Sequence, residues 1–366
     1  MLGGATVKVG TDFNKNNLDC LRLILASIVA LFHVYALSGL ATFEVFERYL
    51  SPHFAVRAFF VISGLLIYRS YSRSSSFRSY LDKRFRRIYP AYFTVIVLSA
   101  LALWPLSTLP AWEYFDAGFW KYLGANLVFL NFLAPALPGV FTSNLGTPVD
   151  GALWTLKIEV AFYLFVPLMH YLCNRFGSKK IIGAIIALSC CWKYGFIALD
   201  SMARAGNVEL QNGADTIYSK LVVQFPAQLL YFCAGILLFQ YFEQLTSHFR
   251  TILCITIGAF ILDHWLTAGN LDVVWISGVV FIFGFWRYFG NFSKHGDFSY
   301  GVYIVHWPIL QTLISFGVDR MNPALYLLAG VSSIGLAGFL MWHLVECRFL
   351  KGSSHYLQTV LKTARP

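Results

Sequence analysis

The first long apolar run, Leu18 to Leu40 (LDCLRLILASIVALFHVYALSGL), constrains most of what this chain can become. About twenty mostly apolar residues is the length of a helix that crosses a bilayer. An ionisable group inside such a run is costly and is read as functional by default. Here there are two, Arg22 and His33. Eleven residues at about 1.5 Å each put them roughly 16 Å apart along the axis, and only some 20° apart around it. They share one face, Arg22 near an interface and His33 near mid-membrane. Two readings fit. Arg22 snorkels to lipid phosphates while His33 bonds a neighbouring helix, or both serve chemistry on a common line.

Nine more apolar runs follow, at about 55–70, 88–106, 152–172, 181–199, 218–240, 251–267, 272–286, 299–315 and 324–346. Charged residues make up 13% of the chain and hydrophobic ones 57%, whereas a soluble domain carries about 25% charged. The expectation is an all-α polytopic membrane protein of about ten transmembrane helices. It forms a single transmembrane domain over 1–366, with a short N-terminal segment (1–17) and a tail from about 347. The polar first 17 residues show no small-residue cleavage site, so no signal peptide is expected. The seven cysteines show no CxxC and no zinc-like spacing, and neither a disulfide nor a metal is expected. Phe119 to Leu133 is read as an interfacial or re-entrant helix, because counting it as a span would invert everything after it.

Charge placement tests that topology. With the N-terminus inside, 20 of the 28 Lys and Arg fall on the cytoplasmic side, as the positive-inside rule requires. Both termini are therefore expected in the cytoplasm, and the net charge of +10 is mainly an orientation signal. Nucleic acid is not an expected partner; the bilayer is. The tail segment Tyr356 to Lys362 reads as interfacial. The outer loop from Ser107 to Gly151, rich in aromatics, Pro and Gly, is long enough to cover or receive a ligand.

Several polar groups recur inside the runs. Ser63-Gly64 in FFVISGLLIY admits close helix approach. RFRRIYPAY (Arg84 to Tyr92) puts Arg84 and Arg87 one helical turn apart before Pro90, which is read as starting the third span. This cluster is either a lipid anchor or a phosphate clamp. Arg57 interrupts the second run. Glu159 lies about a turn and a half inside the fourth run, beside Lys157 and with Tyr163 at i+4, and needs a partner. Ser299, Tyr303 and His306 share a face ahead of Pro308, and His343 and Glu346 are spaced to satisfy each other. No GxSxG, Walker loop or HExxH occurs. The set of His, Glu, Arg, Ser and Tyr suits acid–base work on a hydroxyl or an anionic permeant better than redox chemistry.

Taken together, these segments resemble the acyltransferase-3 family of integral membrane proteins. Arg22 and His33 match its Arg, ten residues, His pattern. FFVISGLLI resembles FFxxSGxLI, and Arg84 to Pro90 its RxxR…P segment. LWTLKIEVAFYLFVP matches LWxLxxExxFYxxxP at Leu153, Trp154, Glu159, Phe162, Tyr163 and Pro167. SYGVYIVHWP matches SYxxYxxHxP at Ser299, Tyr300, Tyr303, His306 and Pro308. Two features depart from the pattern: Val345-Glu346-Cys347-Arg348 replaces Val-Glu-x-Pro, and Gly296-Asp297-Phe298-Ser299 is not the GDS motif of an appended SGNH domain.

The resemblance implies an O-acetyltransferase of the bacterial inner membrane, without an SGNH domain. It would move acetyl from cytoplasmic acetyl-CoA, a substrate rather than a tightly bound cofactor, to a glycan or lipid-linked saccharide outside. His33 and Glu159 would be catalytic, Arg22, Arg84 and Arg87 would meet the donor, and Ser63, Trp154, Tyr163, Tyr303 and His306 the acceptor. A transporter or channel would also need buried His, Glu and Arg, but would be expected to show pseudo-symmetric halves; no internal repeat is visible. A membrane scaffold would tolerate substitution of these groups.

Overall fold

The computed structural model describes residues 13–205, 216–267 and 269–350, which contain helices and no strand. The expected interfacial segment Tyr356 to Lys362 lies outside the described residues. Among the described residues, eleven helices of eleven or more residues carry the fold. They are α1 (Leu18–Ser38), α2 (Pro52–Ser72), α3 (Phe77–Ala102), α4 (Ala117–Leu127), α5 (Trp154–Phe176) and α6 (Ser178–Ala205). The chain continues with α7 (Phe225–Gln240), α8 (Phe249–Leu262), α9 (Asp272–Phe285), α10 (Ser299–Ser315) and α11 (Pro323–Met341).

Each of the ten expected runs is helical, but seven segments among the described residues are long and apolar enough to cross a membrane. The expected third, eighth and ninth spans fall short. With 14 and 17 residues, α9 and α10 reach roughly 21 and 26 Å, against a hydrocarbon core of about 30 Å. At 26 residues α3 is long enough, but its first half carries Arg78, Lys83, Arg84, Arg86 and Arg87. Good helix formers continue the helix ahead of its apolar part, so Pro90 lies inside it instead of starting it. The Phe119 to Leu133 stretch folds as α4, only 11 residues long, and Phe129 turns the chain away with φ 62°.

The described residues gather into two compact units, each discontinuous in sequence. The first takes those of Met1–Leu18 with Arg57–Phe77 and Ile158–Tyr288. The second takes Asp19–Val56, Arg78–Lys157 and those of Phe289–Pro366. In the first unit α2 and α7 meet backbone to backbone. A Cβ at Gly64 would collide with the Phe232 carbonyl and one at Gly235 with the Val61 carbonyl, which is the close approach the Ser63-Gly64 pair suggested. Phe162 of α5 stacks on Phe232 with ring centroids 4.1 Å apart.

In the second unit α10 is buried along most of its length. Gly301 and Gly338 let it close on α11: a Cβ at Gly301 would lie 2.9 Å from the Gly338 carbonyl oxygen. The loop from Ser107 to Gly151 is anchored on α10. Gln311 donates to the Gly146 carbonyl (2.7 Å) and accepts from Asn144 (2.7 Å), and the Trp307 indole donates to the Pro148 carbonyl (3.2 Å). Gly151 is the loop's contact with the Trp307 ring, where a Cβ would not fit.

Candidate functional site

In the second unit, His33 and His306 come together. His33 Nδ1 lies 3.0 Å from His306 Nε2, the rings stack at 25° with centroids 5.1 Å apart, and Trp307 packs on His33 at 4.6 Å. The proton positions follow from the partners. His306 Nδ1 is 2.6 Å from the Tyr303 carbonyl, which only accepts, so that nitrogen carries the hydrogen. In the neutral ring Nε2 then offers a lone pair, and His33 Nδ1 must be the donor between the two. His33 therefore keeps a lone pair on Nε2, the state required of a base. His306 is fully buried, and this bond holds the imidazole of half-buried His33 in one tautomer.

Around the pair, the Tyr303 hydroxyl meets Thr155 Oγ1 (2.8 Å). Since the loop from Ser107 to Gly151 is anchored on α10 through Trp307 and Gln311, the helix carrying His306 also positions that loop. Lys157 lies over the Phe132 ring (4.8 Å). The buried Asp150 accepts from the Ala152 amide (2.9 Å). Its burial pushes the carboxyl well above the usual carboxylate range, partly offset by that hydrogen bond.

Arg22 and Arg87 do not stand open. Arg22 Nη1 lies 2.6 Å and Arg87 Nη2 2.5 Å from Asp297 Oδ2, and Arg87 Nη1 lies 2.9 Å from Glu346 Oε2. Asp297 Oδ1 accepts from the Ser299 hydroxyl (2.5 Å) and amide (3.2 Å). Burial opposes ionisation of Asp297, but the guanidiniums of Arg22 and Arg87, with the Ser299 bonds, hold its carboxyl below the usual range. Beside the cluster is a cavity of about 560 Å³ with Asp19, Leu23, Phe289, Lys294 and Asp297 in its lining. The expected His343–Glu346 pairing is corrected. A π-helical turn at Trp342–Glu346 resets the angular relation of these residues, and Glu346 meets the full charge of Arg87. His343 packs on Phe339 instead, at 4.3 Å.

Half-buried Arg84 lies on α3, and half-buried Trp154 opens α5. In the first unit, Glu159 Oε1 accepts from the Tyr163 hydroxyl one turn along α5 (2.6 Å), and Ser63 is half-buried beside Gly64. Sequence reasoning missed Asp297 and Trp307 here. Trp307 adjoins a motif histidine, whereas the only signal at Asp297 was a motif it does not match. All seven cysteines are unpaired, and among the described residues no group of three or more His, Cys, Asp and Glu is arranged to hold a metal ion.

Comparison with known proteins gives the site its setting. The family model described as an acyltransferase domain matches residues 15–342. The O-acetyl transferase of Shigella phage Sf6 is 29% identical over 352 residues, covering 93% of this chain and 97% of that protein. Nodulation protein 10 of Rhizobium leguminosarum bv. viciae is 27% identical over 363 residues, covering 91% and 92%. A shorter similarity, 26% over 129 residues and 35% of this chain, links it to 30% of acyltransferase MdmB of Streptomyces mycarofaciens. No solved structure matches. With a match that runs from before α1 into the end of α11, through every motif-bearing helix, the chain belongs to the acyltransferase-3 family.

Proposed function

We propose that this acyltransferase moves an acetyl group from cytoplasmic acetyl-CoA to a hydroxyl of an extracytoplasmic glycan or lipid-linked saccharide at a bacterial inner membrane. Ten spans with both termini inside are part of this reading, supported by the distribution of Lys and Arg. The observation that carries it is the His33–His306 pair, which leaves a basic nitrogen on a helix of membrane-crossing length. The name of the phage relative, an O-acetyl transferase, favours group transfer over transport.

His33 Nε2 takes the proton of the acceptor hydroxyl as that oxygen attacks the thioester carbonyl. The C–S bond then breaks, and the proton leaves with the CoA thiolate. General-base help of this kind is worth typically 10²–10⁴-fold. The same nitrogen could instead carry the acetyl group transiently, and acid-quenched label retained by wild type but not by His33→Ala would select that route. The donor's phosphates are assigned to the basic half of α3, with Arg84 among its cations; Arg22 and Arg87 hold Asp297. The outer loop, with Tyr303 and Trp154, is assigned to the acceptor. Glu159, with its Tyr163 bond, and Ser63 are secondary: Glu159→Gln and Ser63→Ala are expected to lower the rate less than His33→Ala does.

The test uses cells lacking the gene, supplied with wild type, His33→Ala or Arg84→Ala, and mass spectrometry of envelope glycans and lipids. Wild type is expected to restore an acetyl group and His33→Ala to lose it at equal protein abundance. If wild type changes no acyl group on any glycan or lipid, the transfer reading fails. If His33→Ala acetylates fully, the mechanism fails and the family remains.

A further inference from the structure

One buried ionic group plays no part in acyl transfer as proposed. In the first unit, Arg57 of α2, Lys193 of α6 and Tyr231 of α7 converge on Asp272 at the start of α9. Arg57 Nη1 lies 2.5 Å from Asp272 Oδ2, and Lys193 Nζ 3.2 and 3.3 Å from Oδ1 and Oδ2. The Tyr231 hydroxyl donates to Oδ2 (2.6 Å) and accepts from Lys193 (2.9 Å). The side chains of Lys193 and Asp272 are only 5% and 3% exposed.

Two cations thus share one carboxylate, and a positive charge is left over where burial makes it expensive. Asp263, also buried in this unit, accepts from the Gly269 and Leu271 amides and the Trp275 indole. The surplus has an outlet. Arg57 is 28% exposed and spends only Nη1 on Asp272; among the described residues its Nε and Nη2 have no hydrogen-bond partner. Those two nitrogens form the edge of the guanidinium that grips two oxygens of one oxyanion.

We propose that this cluster binds a phosphoryl oxyanion, gripped by Nε and Nη2 of Arg57, with Lys193 supplying the second charge. The phosphate arrives either free or on a lipid. The test uses the full chain purified in detergent and two probes, inorganic phosphate and farnesyl phosphate, with binding followed by native mass spectrometry and calorimetry. Wild type is expected to bind at least one of them. Arg57→Gln should weaken that binding at least about tenfold, and Arg57→Lys less.

Lys193→Met keeps the Arg57–Asp272 pair and leaves the cluster neutral, so it guards against a folding artefact; it too should weaken binding while melting no lower than wild type. Binding of both probes identifies a free-anion site, and binding of farnesyl phosphate alone a lipid-borne one. If neither probe binds wild type, or if both variants bind as wild type does, the proposal is overturned. The readout is binding, so this failure leaves acyl transfer standing, while a His33→Ala protein inactive in transfer should still bind the probe.

Discussion

The two units each bury a knot of arginine and carboxylate, and the two charge balances differ. In the second unit Arg22 and Arg87 face Asp297 and Glu346, two guanidiniums and two carboxyl groups. That knot ties α1, α3, the connection before α10 and the turn after α11 through bonds that reach across as many as 275 residues, and forms a latch. In the first unit Arg57 and Lys193 share Asp272 alone. The difference teaches that a buried arginine is not by itself a ligand site. What separates structure from binding is whether the protein supplies the counter-charge and whether any guanidinium donors remain open. By that measure two of the three arginines expected to meet the donor, Arg22 and Arg87, are engaged within the fold, while Arg57 keeps two donors without a hydrogen-bond partner among the described residues.

The largest effect is expected where the comparison is broken outright. Asp272→Asn leaves two cations with no carboxylate, and a buried pair deprived of one partner costs about 3–5 kcal/mol. Asp297→Asn should cost less, because Glu346 remains on Arg87. Denaturant unfolding in detergent checks the order, and added phosphate sharpens it: phosphate should restore part of the stability of Asp272→Asn and none of that of Asp297→Asn. Equal rescue of both would erase the distinction. Methionine in place of one cation should act in opposite directions. Lys193→Met balances the first knot and is expected to be neutral or stabilising without an anion, whereas Arg22→Met leaves the second with an excess carboxylate and destabilises it.

Next in size is packing. Gly64→Ala in the first unit drives a methyl into the Phe232 carbonyl, which neither backbone can yield cheaply, at a cost of about 1–3 kcal/mol. Gly301→Ala in the second meets the Gly338 backbone at 2.9 to 3.0 Å, and a smaller loss is expected. Thermal unfolding of the two variants side by side reads the order.

How much of this was legible in the sequence depends on range. Apolar run length marked each helix, and the face shared by Arg22 and His33 follows from spacing within one helix. Ser63-Gly64 announced its contact because a small residue has one packing use. Helix ends were less legible: the basic half of α3 is helical yet too charged to count as a span. Partners were least legible of all. Asp272 was passed over although Arg57 stood out, since 215 residues separate them and local periodicity carries no information across that distance. Lys193 was legible in principle, as a charge within an apolar run. The His33–His306 bond closes over 273 residues; its two members were named, but only the fold could join them. The π-helical turn at Trp342–Glu346 defeated the His343–Glu346 pairing because it breaks the period on which that pairing rested.

The smallest expected effect is one of acidity, and it tests whether the ion pairs of Asp297 contribute to stability. Asp297 lies in the connection before α10, where two guanidiniums and Ser299 hold its carboxyl below the ordinary value in spite of burial. A carboxyl whose folded value is depressed contributes stability above its unfolded value of about 4, and loses it as pH falls toward the folded value. Wild type should therefore lose stability only as the medium is acidified below about pH 4, with no change across neutrality from this group. Asp297→Asn has no such proton to take up, so its unfolding free energy should fall less steeply in that window. Denaturation curves in acid-stable detergent at several values between about pH 3 and pH 6 measure both slopes. Parallel slopes would mean that Asp297 is not ionised in the latch, and the second unit would then share the first unit's surplus of positive charge.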